Sequence, residues 1–384
     1  MKKRILFVLS TFEVGGTVVS TKNLILLLDK DRYDITVLCM RGDGNMKTIF
    51  SDVKQIKTTN ILSSLTLPSW RHRKRIIDKI LVALVRVLCR NEYIRDYIFK
   101  KESRIIDNNY DTIVACQEGI CTHFVSNSII KNKVAWVRCD YSKYISGGVD
   151  QYEKKIYSKF NKIVCVSNLT SIRFMEVFPE YSNKIFAINN PQSEEYIISQ
   201  SEKEEVDPKF IKKGITLVSI GRIDSIKRFT YIPKIASFLV SNDVDFKWYI
   251  IGDGAIVEKE MIYRNIKKEK VCDNVILLGM KTNPYYYIKN ADLLVSLSIS
   301  EACPRIINEA KILHTPVVCT NFDTAYEYID NYTNGIIAPI DSIHTSILEI
   351  IQNKKLYKTI SDNISDFKFD NEDIMHEIDK ILIM

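Results

Sequence analysis

The sequence predicts an α/β protein made of two doubly wound, Rossmann-like domains facing each other across a cleft. Short apolar runs alternate with helical patterns along most of the 384 residues, as in parallel sheets covered by helices on both faces. The length suits two domains of roughly 150–200 residues each. The alternation fails once, near 195–214, where SEEYIISQSEKEEVDPKFIKKG turns from acidic to basic with no strand signal. The domains are therefore expected at 1–195 and 210–365.

RILFVL (4–9) reads as the first strand, followed by a glycine-containing loop and the helical stretch TVVSTKNLILLLDK. Its lysines and apolar run imitate a signal peptide. That run is only about five residues, ends in Ser10-Thr11 and has no small-residue cleavage site, so a buried strand is expected instead. ITVLC (35–39), TIVAC (112–116), VAWVR (134–138) and KIVCVS (162–167) continue the first sheet. TLVSIG (216–221), WYIIG (248–252), VILLG (275–279), DLLVSLS (292–298) and PVVCT (316–320) form the second, each followed by helix-like sequence. The tail FDNEDIMHEIDKILIM carries a helical pattern.

At 46% hydrophobic and 26% charged the composition is that of an ordinary globular chain, with no repeat or low-complexity tract. No stretch approaches the ~20 apolar residues of a membrane span. The nine cysteines are odd in number, form no CxxC pair and lie mostly in strand-like runs. Buried, reduced thiols in a cytoplasmic protein are expected. The five histidines are too scattered for a metal site. Asp243-Val244-Asp245 has metal-binding spacing but precedes the strand FKWYII, which puts it at the amino edge, as a polar turn. No metal or other cofactor is expected.

In doubly wound sheets, ligands bind beyond the carboxyl ends of the strands. TLVSIG runs into GRIDSIKR, which brings Gly221, Arg222, Lys227 and Arg228 to a helix entrance. Two cations and free backbone amides there suit an anion such as phosphate. Gly15-Gly16 follows the first strand and also leads into a helix. It is neither GxGxxG nor a GK[ST] phosphate loop, so NAD or ATP binding is not supported. In SEACPRIINEAKILHTPVV (300–318), Pro304 suits a first helical turn. Ile306, Ala310 and Leu313 share one face, and Glu309 lies about 60° beside it. A carboxylate at such a margin needs partners: the two hydroxyls of a vicinal diol would serve, and structural salt bridges are the alternative on these residues alone. Glu301 stands in the loop after DLLVSLS.

SEACPRIINEA resembles the E-x7-E motif of retaining glycosyltransferases with the GT-B fold, family 4, of the bacterial surface-polysaccharide type. GRIDSIKR, YIIGDG, VILLGMKTNPYYYIKNADLLV and IVCVSNLT match further family elements in order, most closely over 215–340. The resemblance implies a hexosyltransferase that moves a sugar from a nucleoside diphosphate to an acceptor, with retained anomeric configuration and no metal. A lipid-linked saccharide in capsule, exopolysaccharide or O-antigen synthesis is the acceptor it suggests. Residue by residue, Glu309 would hold the ribose hydroxyls, and Arg222 and Lys227 the diphosphate, with Gly15 and Gly16 closing on it. Glu301 would contact the donor sugar, helped by backbone amides near Cys303, Pro304 and Arg305, with Met280 completing the donor-binding set. Glu301, Arg222 and Lys227 would be the catalytic residues. The final helix, 366–384, would cross back to the first domain.

Two departures stand out. Ala302 follows Glu301 where the family usually has glycine. WVRCDY replaces a pattern like WxHxD, leaving Asp140 but putting Arg138 in place of an imidazole. A guanidinium accepts no proton, so Arg138 and Asp140 are expected to serve the acceptor or a phosphate. An epimerase of the same fold and a silent sugar-nucleotide-binding subunit remain alternatives. Residues 71–101 hold ten Lys or Arg against three Asp or Glu. On a wheel, Arg75, Lys79, Arg86 and Arg90 oppose Ile77, Ile80, Leu81, Leu84 and Leu88, as in a helix lying on an anionic membrane. A peripheral location at the inner face of the cell membrane is expected. No nucleic-acid partner is expected, since the cleft is otherwise explained.

Overall fold

The computed structural model describes residues 1–384 except 14, 42–49, 57–58, 60, 64–79, 81–82, 86, 107–108, 145–150, 204–206 and 384. The chain forms two compact units, Met1–Pro191 with Asn371–Met384, and Gln192–Asp370.

The first unit holds β1 (Lys3–Leu9), β2 (Tyr33–Cys39), β3 (Lys54–Ile56), β4 (Thr112–Ala115), β5 (Asn132–Val137), β6 (Lys162–Cys165) and β7 (Ile185–Ala187). They make one parallel sheet in the order β3-β2-β1-β4-β5-β6-β7. The run ILFVL in β1 is buried on every side, because helices cover both faces of a parallel sheet. Leu6, Val8, Ile113, Ala135 and Ile163 pack with Phe124, Tyr157 and Phe174 from the helices.

The second unit holds β8 (Ile215–Ile220), β9 (Phe246–Ile251), β10 (Val275–Gly279), β11 (Leu293–Ser296), β12 (Val317–Thr320) and β13 (Ile336–Ala338). Its parallel order is β10-β9-β8-β11-β12-β13. Both sheets reverse direction once, between β1 and β4 and between β8 and β11. At such a switch point the flanking connections leave toward opposite faces and open a crevice at the carboxyl edge. Deep in the second sheet, Trp248 Nε1 donates to Ser219 Oγ at 3.0 Å and Ser219 Oγ donates to the Val295 carbonyl at 2.7 Å. These bonds tie β9, β8 and β11 together beneath the crevice.

The ten apolar runs read from the sequence are all strands, so the doubly wound class stands. Three more strands, β3, β7 and β13, sit at or beside sheet edges. Each is three residues long, too short to show a pattern in the sequence. The last helix, Glu372–Leu382, belongs to the first unit and buries Ile378, Ile381 and Leu382. Tyr33 donates to Asp379 at 2.7 Å, and Thr112 Oγ1 donates to the Leu382 carbonyl at 3.0 Å. All nine cysteines are free. Cys272 is exposed and Cys139 and Cys303 are half-buried, so burial holds for the other six.

Candidate active site

Turn chemistry at the end of β8 builds half of the site. Gly221 has φ 156° and Gly252 φ 149°, conformations that favour glycine. A side chain on Gly252 would put its Cβ 1.8 Å from the Gly221 carbonyl oxygen, so the turns after β8 and β9 interlock only as glycines. A Cβ on Gly221 would meet Lys227 Cε at 3.2 Å, which means the Lys227 stem runs directly over this glycine. Asp224 organises the turn by accepting from the Lys227 amide at 3.1 Å and from Arg222 Nε at 2.7 Å. The cations differ in setting: the Lys227 side chain is 21% exposed and that of Arg222 is 75% exposed. Arg228 takes a left-handed φ of 51° and leads into a short 3-10 turn, Phe229–Tyr231, ahead of the helix Ile232–Val240.

The other half comes from the loop after β11. Lys227 Nζ pairs with Glu301 Oε1, and Ser298 Oγ donates to the same oxygen at 2.7 Å. Thus the two sides of the switch point meet through residues 74 positions apart. The helix Arg305–Ile312 follows, with Pro304 at its N-cap.

Glu309 is not at a half-buried margin as its wheel position suggested. It is 3% exposed, because the helix is covered on nearly all sides from Ile307 onward. Arg305 Nη1 lies 3.5 Å from Glu309 Oε1, one turn away, yet neither atom makes a hydrogen bond. Burial pushes the Glu309 carboxyl above its ordinary range, and the charge of Arg305 pulls it back down. A carboxylate in this state lacks the donors that a buried charge requires.

The remaining expected residues are more dispersed. Met280 follows Gly279 at the end of β10, with its side chain 42% exposed. Gly15 caps the helix Gly16–Leu27 from an extended conformation. Nothing lies within 4 Å of a Cβ built on Gly16, so the chain's own packing does not demand glycine there. Asp243 and Asp245 lie in the turn before β9, at the amino edge, with the Asp245 carbonyl accepting from Ile215 N at 2.9 Å.

In the first unit, Arg138 sits at the carboxyl edge beside the switch point. Its Nε donates to the Cys116 carbonyl at 2.7 Å and its Nη1 to Ser20 Oγ at 2.7 Å and to Asn190 Oδ1. The guanidinium therefore braces β4, β5, the first helix and the segment after β7. Asp140 pairs with Arg173 and, at 3.3 Å, with Lys143, and accepts from Ser142 at 2.6 Å. Burial alone would raise its pKa, but Ser142, Lys143 and Arg173 together hold it below the usual range.

Two groups escaped the sequence reading. Glu118, in TIVACQEG, accepts at Oε1 from the backbone amides of Arg138 and, at 2.8 Å, Cys139. An acid and a glycine directly beyond a strand were the available signal. Thr324, in the 3-10 turn Asp323–Glu327, donates to the Glu301 carbonyl at 2.7 Å. Nothing local in the sequence announces that contact.

Residues 200–366 match the family model of glycosyl transferases group 1. A poly(ribitol-phosphate) alpha-N-acetylglucosaminyltransferase of Staphylococcus aureus is 26% identical over 264 residues, 66% of this chain and 51% of the relative. An N-acetylgalactosamine-N,N'-diacetylbacillosaminyl-diphospho-undecaprenol 4-alpha-N-acetylgalactosaminyltransferase of Campylobacter jejuni is 23% identical over 347 residues, 88% and 83% of the two chains. The chain spans about half the length of the first two curated relatives it matches, 51% and 48%. Among solved structures, Anabaena HepE in complex with UDP and glucose has a TM-score of 0.73 at 16% identity, over 99% of each chain. A single-residue mutant of S. aureus TarM, in complex with Fondaparinux, alpha-GlcNAc-glycerol and UDP, has 0.71 at 15%, over 100% of each chain. These structural likenesses show the GT-B fold, with its two Rossmann-like domains.

Proposed function

We propose, on the premise that this chain belongs through residues 200–366 to the glycosyl transferases group 1, that it transfers a hexose from a nucleoside-diphosphate sugar to a phosphate-bearing saccharide acceptor, with retained anomeric configuration. The buried, donor-starved carboxylate of Glu309 carries the reading. A ribose offers two adjacent hydroxyls, which would give this carboxylate the hydrogen bonds it lacks and favour its ionised form. A bare structural ion pair would leave Oε1 unbonded at the cost of burying a charge.

The diphosphate is assigned to Lys227 and Arg222 at the β8 turn. Charge grows on it as the glycosidic bond breaks, so cations fixed there stabilise the transition state more than the ground state. Glu301 shares Oε1 with Lys227 and Ser298, an arrangement suited to holding a sugar hydroxyl and poorly suited to attack. In this reading no side chain acts as a double-displacement nucleophile, and the departing phosphate takes the acceptor proton. Gly15 and Gly16 are assigned to the donor phosphates, and the amides near Cys303, Pro304 and Arg305 and the Met280 side chain to the donor. We assign no step to a metal. Arg138, a fixed cation, suits an acceptor that carries phosphate. Such acceptors are named for the S. aureus and C. jejuni relatives and for a Bacillus subtilis poly(glycerol-phosphate) alpha-glucosyltransferase. The test is nucleotide release from UDP-glucose, UDP-galactose, UDP-N-acetylglucosamine and GDP-mannose, followed by mass spectrometry with and without a lipid-linked or polyol-phosphate acceptor. Release and sugar transfer from one donor are expected. An acceptor-independent change of the donor sugar would favour an epimerase, and no turnover would favour a silent binding subunit.

We also assign the acceptor side to an anionic membrane surface. Arg75, Lys79 and Arg86 lie outside the described residues, and no described helix is long and apolar enough to cross a membrane. The support comes from their neighbours. Ile80, Leu84, Val87 and Leu88 are exposed by 39–62%, and Tyr93 and Tyr97 by 81% and 68%. Such exposed apolar and tyrosine side chains beside Arg90, Lys100 and Lys101 match the interfacial layer of a bilayer. Co-sedimentation with anionic vesicles is expected to weaken with salt and in a variant carrying Lys79→Gln, Arg86→Gln and Arg90→Gln. Equal recovery on neutral and anionic vesicles, or none on either, would remove the assignment.

A further inference from the structure

We infer that Thr324 is a positioning residue for the donor sugar: its hydroxyl fixes the main chain at Glu301 so that carboxylate oxygen Oε2 is presented to the ligand. This rests on the reading of Glu301 as the group that meets the donor sugar.

Three hydroxyls help to hold the loop after β11, beside the Ile299 amide, which donates to the Ile226 carbonyl at 2.8 Å. Thr320 Oγ1, at the end of β12, donates to the Ser298 carbonyl at 2.5 Å. Ser298 Oγ holds Glu301 Oε1 at 2.7 Å, where Lys227 also binds. Thr324, 3% exposed, reaches across from the turn beyond β12 and donates to the Glu301 carbonyl at 2.7 Å. The main chain of Glu301 and one of its two oxygens are therefore fixed from different elements. Oε2 accepts no bond from any described residue and is the oxygen available to a sugar hydroxyl. Thr324 is the contact that matters most for direction. Ser298 and Lys227 act on the flexible end of the side chain, whereas Thr324 sets where that side chain starts. A site held within a fraction of an ångström needs such support from residues that never touch the ligand.

Valine matches threonine in shape but donates nothing, so Thr324→Val removes the hydroxyl and leaves a partly buried carbonyl unpaired. The full chain and its Thr324→Val and Thr324→Ser variants are compared by two measurements. Hydrogen exchange is followed in the unliganded protein over 297–305, and kcat and KM are followed for the donor that turns over among the four sugar nucleotides named above. Thr324→Val is expected to speed exchange in that peptide and to lower kcat about tenfold. Affinity for the free nucleoside diphosphate should not change, because Glu309, Arg222 and Lys227 hold that part. Thr324→Ser, which keeps the hydroxyl, should restore both quantities. Unchanged exchange and kcat in Thr324→Val would overturn the inference, as would a serine variant as impaired as the valine. If the unaltered chain turns over none of the donors, the underlying reading of Glu301 falls, while the exchange measurement still decides whether the hydroxyl holds the loop.

Discussion

Changing Glu309 to alanine is expected to weaken nucleoside diphosphate binding by about 1.5–3 kcal/mol, the scale of hydrogen bonds to a charged group. That corresponds to roughly ten- to more than hundred-fold in affinity. The expectation follows from its 3% exposure and unbonded Oε1, since a ligand diol would supply donors that the chain itself does not. Alanine also leaves Arg305 without its neighbour, so Glu309→Gln is the sharper variant. It keeps the volume and loses only the charge-assisted part, about half of the bond strength. The pH dependence has a definite sign. Burial raises the Glu309 pKa in the free protein, and only the ionised form accepts from both hydroxyls. Affinity for a nucleoside without phosphates, which titrates nothing else nearby, should therefore fall as pH drops through that raised pKa. The glutamine variant should lose this dependence. Calorimetry with folded variants decides the matter, and unchanged affinity in Glu309→Ala would end the ribose assignment.

The fold was legible because its strands are written as continuous apolar runs, such as ILFVL and WYII, which leave little room for another reading. The edges were not, since IFA and KQI carry no more pattern than a loop does. At the site, the sequence named residues at strand ends but not the partners chosen there. The Lys227–Glu301 pair spans 74 positions, and neither residue hints at the other. Arg138 illustrates the same limit. A lone arginine after a strand suggests a ligand contact, yet its guanidinium is also bonded to Ser20, Cys116 and Asn190, three acceptors that only the topology brings together. Helical spacing also misjudged Glu309. A wheel knows one helix, whereas the burial of that carboxylate comes from neighbours packed on most of the helix surface.

Removing Lys227 and Arg222 together, as alanines, is expected to cut turnover by on the order of 10²–10³-fold, as when a preorganised donor to developing negative charge is deleted. Binding of the unphosphorylated nucleoside should be unaffected, because the ribose contact lies on the helix Arg305–Ile312, away from the β8 turn. The two cations should not contribute equally. The Lys227 side chain is 21% exposed and that of Arg222 75%, so solvent and salt screen Arg222 far more. Lys227→Ala alone should show most of the loss, and the Arg222→Ala defect should shrink as ionic strength rises. Lys227 has a second consequence. Its ammonium offsets the Glu301 carboxylate, and deleting it leaves an uncompensated negative charge beside the departing diphosphate. Part of the Lys227→Ala defect is then repulsion from Glu301 and not only lost attraction. Adding Glu301→Gln to Lys227→Ala should recover some turnover, although Glu301→Gln alone lowers it, so the two changes should be strongly non-additive. Single-turnover rates at saturating donor for the four members of this cycle measure that coupling. A double alanine variant of Arg222 and Lys227 with near-normal turnover would place the diphosphate elsewhere. Simple additivity in the Lys227–Glu301 cycle would show that the pair seen in the free chain does not persist beside the donor.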